Sequence, residues 1–168
     1  MKIRTDFVTN SSSSSFIVAF NSKEEGSKYF ENKRETSGSD VFDFVIRDFN
    51  SATPMTVDEA IAYAKEEYMS WAIYILMCKP YNGHRSFTDY LQKKNGEKKK
   101  LYDLFEDEEF KAKQEEVANQ QLEEFKKKLI GKTYFVELEY EDHSSYGCEL
   151  EHEIMPHLEC TIERFSHH

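Results

Sequence analysis

The chain has 168 residues, with 32 acidic and 22 basic side chains, a net charge of −10 and 14% aromatic residues. That length suits one domain with a sizeable core, and the acidic balance excludes nucleic-acid binding through a basic face. The longest apolar run, Trp71 to Cys78, is too short to span a bilayer.

The chain opens Met1-Lys-Ile-Arg-Thr-Asp-Phe-Val-Thr-Asn10, followed by five serines and then Phe16-Ile-Val-Ala-Phe20. The unbroken apolar run predicts a strand over Ser15–Phe20 buried on both faces. Phe7-Val8 and Phe16-Ile-Val18 flank the serines and predict an ordered connection rather than a free linker. The residues Lys2, Arg4, Phe7, Val8, Thr9, Asn10, Ser11 to Ser15, Phe16 and Ile17 resemble the opening of a group of uncharacterised bacterial and phage proteins. The ending Arg164-Phe-Ser-His-His168 resembles the endings of the same group. The resemblance implies a bacterial or phage source and carries over no catalytic residue.

Ser22 and Glu25 form a capping box for a helix over Lys23 to about Lys33, which Gly26 weakens. Over Val41 to Phe49, the spacing of Phe42, Phe44 and Ile46 suits a strand. That of Phe42, Val45, Ile46 and Phe49 suits a helix, and Asp40 and Asp43 favour a helix start. Thr56-Val-Asp-Glu59 is a second capping box. From there Val57, Ala60, Ile61, Ala64, Tyr68, Trp71, Ala72, Ile75 and Leu76 recur on one face. The far half is apolar all round and predicts a central buried helix with Trp71 and Ile75 in the core. It ends before Pro80. A short helix is expected over Ser86 to Lys94, stopped by Asn95-Gly96, and Leu101, Leu104 and Phe105 are expected to pack inward. The run Lys98-Lys-Lys100 reads as a solvated stretch. A long charged helix follows from about Asp107 to Ile130, with acidic residues first and lysines last, as the helix dipole favours.

The last third predicts a strand over Thr133–Glu141 with Tyr134, Val136, Leu138 and Tyr140 on one buried face, a helix over Cys148–Met155, and a strand over Cys160–Phe165. The fold class expected is α+β: a small sheet of N-terminal and C-terminal strands packed with a largely helical middle. The chain is read as a single domain, 1–168, with a helical insertion over about 22–130. If the last two strands are parallel neighbours, their ends bring His143 and His167 to one edge.

Five of the six histidines lie in that last stretch. The candidate metal ligands are His143, Cys148, His152, His157, His167 and His168, with Glu149 and Cys160 nearby. Cys148 and His152 are four apart, which puts them on one helical face. Imidazole and thiolate suit a divalent metal such as zinc. No Cys-x-x-Cys and no His-Glu-x-x-His occurs. No catalytic residue is assigned: Ser144 or Ser145 beside His143, and Cys148 with His152, lack an oxyanion motif. No organic cofactor motif occurs either. Three cysteines cannot all pair, and Lys2 and Arg4 precede no leader-length apolar run, so a cytoplasmic setting is expected. The function these features favour is a non-enzymatic, acidic interaction protein that binds a protein partner and neither nucleic acid nor membrane. The alternative is a metal-dependent hydrolase or metal-binding protein built on the C-terminal cluster.

Overall fold

The computed structural model describes residues 13–94, 101–141 and 145–167. They form an α+β fold in which a small antiparallel sheet joins N-terminal and C-terminal strands around a helical middle. Strand β1 (Ser13–Phe20) is central, with β2 (Tyr134–Glu141) on one side and β3 (Thr161–His167) on the other. Both flanking strands run antiparallel to β1. Composition explains the order. Phe16, Val18 and Phe20 lie on one face of β1, Ile17 and Ala19 on the other, and all five are buried. A strand buried on both faces needs ladder partners along both edges to satisfy its backbone. β2 alternates as expected: Val136, Leu138 and Tyr140 join the core while Glu139 and Glu141 are exposed.

Two expectations about the sheet change. The strand starts two residues earlier than expected, so that Ser13 and Ser14 belong to it rather than to a connection leading into it, and Ser14 and Ser15 are buried. Ser11, Ser12 and the residues before them lie outside the described part. β2 and β3 do run parallel to each other, but β1 separates them, so they are not neighbours.

The chain divides into two compact units, Met1–Val57 with Gly131–His168, and Asp58–Ile130. The first contains the sheet, α1 (Lys23–Ser37) and α2 (Val41–Ser51). The Ser22 hydroxyl accepts the Glu25 N–H at 3.2 Å, and the Glu25 carboxylate reaches back to the Asn21 N–H at 2.9 Å. Gly26 lies where the helix meets Phe20 and Phe49, and a Cβ there would fall 2.2 Å from the Phe49 ring. The ambiguous stretch is helical and buries Val41, Phe42, Val45 and Phe49. Asp40 makes no side-chain cap bond; the Ser39 hydroxyl accepts the Val41 N–H at 3.4 Å instead.

The second unit contains α3 (Val57–Cys78) from Asp58 onward, α4 (Phe87–Lys94), α5 (Leu101–Phe105) and α6 (Glu108–Leu129). Asp107 caps α6 by accepting the Glu109 N–H at 3.0 Å, and Gly131 follows its end with φ 81°. Leu76, Phe87, Leu91, Leu104 and Phe110 form a buried cluster. The expected stop at Asn95-Gly96, the run Lys98–Lys100 and the side chain of Leu101 lie outside the described residues.

α3 is not buried all round. Its buried row is Ala60, Ala64, Tyr68, Ala72 and Leu76, each four residues from the last. Trp71, expected in the core, is 43% exposed, Val57 of the same expected face is exposed as well, and Ile75 is only half-buried. The partner surface α3 meets on α6 is limited: Tyr68 packs against Phe125 with ring centroids 6.3 Å apart, and the Met69 carbonyl accepts from Gln114 Nε2 at 2.9 Å. Among the described residues, no helix is long and apolar enough to cross a membrane.

Candidate functional site

The predicted ligand cluster is only partly within the described residues. His143 and His168 lie outside them, as does the side chain of His167. The backbone positions that bracket the cluster are informative. Glu141, the last residue of β2, and His167, the last of β3, both stand opposite Ser13. The two strand ends therefore share one edge of the sheet, on either side of β1.

The expected helix over Cys148–Met155 is instead three short pieces: α7 (Ser145–Glu149), a π-helical turn over Leu150–Ile154 and a 3₁₀ turn over Met155–His157. Pro156 accounts for the tight final turn, since it supplies no N–H. The wider π winding replaces the i, i+4 spacing that was expected to put Cys148 and His152 on one helical face. Cys148, His152 and His157 are all exposed. Among the described residues, no group of three or more His, Cys, Asp or Glu side chains is arranged to hold a metal ion. Cys160 is buried in the core, and burial pushes its thiol up to about 12. At neutral pH it is a thiol, neither nucleophile nor metal ligand.

Sequence reasoning missed a buried polar cluster at the same end of the sheet. Glu151, in the π turn, is fully buried. The Ser14 hydroxyl donates to its Oε1 at 2.8 Å. Arg164 Nε and Nη2 each donate to Ser14 Oγ at 3.2 Å, and Nη2 stands 3.4 Å from the same carboxylate oxygen. Ser166 Oγ lies 3.3 Å from Ser14 Oγ, and the Arg164 guanidinium sits over the Phe16 ring at 5.6 Å. Glu151 Oε2 has no hydrogen-bond partner among the described residues; His152 Nε2 is 3.7 Å away. The arrangement neutralises a buried carboxylate with one guanidinium and one hydroxyl. It joins the serine run to the C-terminal segment, and with Ser14 fully buried it offers no nucleophile to solvent.

The second missed feature is on α3. Tyr74 is 56% exposed beside Trp71. At about 100° per residue, Glu67, Trp71, Tyr74 and Cys78 fall on one strip of the helix. Glu66 and Ser70 flank it and are exposed. Beyond Cys78 the strip runs into an open depression of about 390 Å³, lined in part by Met77, Arg85, Asp89 and Gln92. Asp89 accepts from Lys93 Nζ at 3.0 Å and from the Arg85 N–H at 3.2 Å, and these bonds hold its carboxyl below the usual range. The sequence signal was present, because Trp71 and Tyr74 fall outside the four-residue row of Ala60, Ala64, Tyr68, Ala72 and Leu76.

Comparison of the chain with protein-family models, curated proteins and solved structures yields no match. The fold and these sites define a two-unit α+β protein whose serine-run strand is hydrogen-bonded through Ser14 to Glu151 and Arg164 of its C-terminal segment.

Proposed function

We propose that the chain is a non-enzymatic accessory protein that binds a protein partner, in the bacterial or phage setting its opening resembles. The observation that supports this most is the pair Trp71 and Tyr74, large aromatic side chains left exposed side by side on a well-formed helix. Trp and Tyr are the side chains most enriched at interface hot spots, and water contact on two such rings is unfavourable until a partner covers them. The experiment places a photoreactive benzoylphenylalanine in place of Tyr74 and, as a control, in place of the exposed Glu31, in bacterial cells. A discrete adduct from position 74 alone is expected. Its protein, once purified, should bind the unmodified chain and lose that binding with Trp71→Ala. Equal labelling from both positions, or binding indifferent to Trp71→Ala, overturns the reading.

A second reading, a metal-dependent hydrolase or metal-binding protein, draws support from one observation: β2 and β3 end at the same edge of the sheet, opposite Ser13. Zinc is the divalent metal that imidazole and thiolate ligands suit. Tag-free protein should then take up added zinc, and His143→Ala, His167→Ala and His168→Ala should each reduce uptake. Absence of uptake, or uptake indifferent to all three, refutes it.

A further inference from the structure

The geometry and charge of the exposed α3 strip point to a partner of defined chemistry, and we infer that the strip receives a basic segment of another protein, rich in Lys or Arg. This rests on the reading of that face as a partner surface. A carboxylate accompanies the aromatics: the half-buried Glu67 falls within the strip between the angular positions of Trp71 and Tyr74, and the exposed Glu66 lies further round the same side, beyond Ser70. The one lysine of the same part of α3, Lys65, projects from the opposite side of the helix. Aromatic faces beside carboxylates attract cations twice, through the ring quadrupole and through charge, while the alkyl stems of Lys and Arg cover the rings. In the adjoining depression Asp89 is engaged by Lys93 Nζ at 3.0 Å, so the carboxylate that recruits the segment is that of Glu67, at the Trp71 and Tyr74 end of the strip. The net charge of −10 acts over longer range in the same direction, drawing in a basic partner and disfavouring a second acidic copy of this chain.

The test uses the fact that Trp71 is the only tryptophan in the chain, so its fluorescence reports this face directly. Two amphipathic peptides of equal length are titrated into the full chain, one of Leu and Lys, the other of Leu and Glu. The Leu/Lys peptide should shift Trp71 emission to shorter wavelength and saturate; the Leu/Glu peptide should leave it unmoved. Tyr74→Ala should weaken the Leu/Lys peptide by roughly tenfold, and raised salt should weaken it further. The double variant Glu66→Lys, Glu67→Lys should reverse the preference, with unchanged circular dichroism showing that the helix persists. Equal responses to both peptides, no response to either, or a preference that survives the charge reversal overturns the inference. So does a shift produced by raising protein concentration alone, which makes a second copy the occupant. If the adduct from position 74 forms but the Leu/Lys peptide does nothing, only the basic assignment fails; if neither occurs, the partner face fails with it.

Discussion

Gly26→Ala tests the packing of the sheet unit against the usual rule for helices. At an exposed helix position that substitution stabilises by about 1 kcal/mol, because alanine loses less backbone entropy than glycine. Gly26 is buried, in the first two turns of α1. A Cβ at this position would meet Phe49 Cζ at 2.2 Å, Phe49 Cε1 at 2.8 Å and Phe20 Cδ2 at 2.9 Å. Neither ring has room to move freely. Phe49 stacks edge-on against Phe20 and Phe30, with centroids 5.5 and 5.2 Å away, and Tyr134 is at 5.8 Å. Overpacking of this kind costs about 1–3 kcal/mol and exceeds the propensity gain at the upper end of that range. The expected net effect is a loss of up to about 2 kcal/mol, read as a lower urea midpoint with an unchanged slope. Phe49→Leu removes ring atoms from the same space, so Gly26→Ala should cost less in a Phe49→Leu background than in the native one. A double-mutant cycle measures that coupling. A Gly26→Ala variant more stable than the parent, or additive with Phe49→Leu, would refute the close approach of α1 to the phenylalanine cluster.

Trp71→Ala should leave the denaturation midpoint within about 0.5 kcal/mol of the parent, as for other surface changes, whereas Ala72→Leu, one residue on and fully buried, should cost about 1–3 kcal/mol by overpacking; equal effects would contradict the orientation of α3. Ser14→Ala removes the hydroxyl donor to Glu151 and should destabilise by about 1–3 kcal/mol; an unchanged urea midpoint would sink the buried cluster. In the folded chain a thiol reagent at neutral pH should modify the exposed Cys78 and Cys148 and spare buried Cys160, and modification of all three without denaturant would show Cys160 misassigned. Because the Cys160 thiol is raised from 9.0 to about 12, its contribution is fully present below pH 9 and is lost as pH rises from about 9 towards 12, where the unfolded chain ionises first. Alkaline destabilisation should therefore be shallower in Cys160→Ala, and identical pH curves for the two proteins would argue against that burial.

Much of the fold was legible in the sequence because its signals are local. The period-two alternation of Tyr134, Val136, Leu138 and Tyr140 marks β2, the Ser22 and Glu25 pair marks the start of α1, and Pro80 bounds α3. What escaped depends on partners distant in the chain. Glu151 stands among Glu149, His152 and Glu153, and nothing in that run distinguishes the one carboxylate that turns inward. Its partners, Ser14 and Arg164, are 137 and 13 residues away. Trp71 misled because an apolar helix declares how much surface it offers, not how much its neighbours cover. The ligand cluster was drawn on an α-helical repeat that the π turn does not keep.

The serine run raises a question of register that the apolar residues after it answer. Serine has little strand preference, and a run of identical small residues would pair almost equally well one position out of step. In the observed register Ser14 stands opposite Tyr140 and Ser166. A slip by one residue would turn the Ser14 side chain to the other face and exchange Phe16, Val18 and Phe20 for Ile17 and Ala19 on the main core face. A neighbouring serine would take the place of Ser14 beside Glu151, so the hydroxyl donor to the buried carboxylate is replaced in kind. The apolar run Phe16–Phe20 is therefore what selects the pairing, because only there does a slip change what each face buries. The serines supply a small hydroxyl residue that fits against Glu151, and the phenylalanines and aliphatic residues after them fix which serine it is.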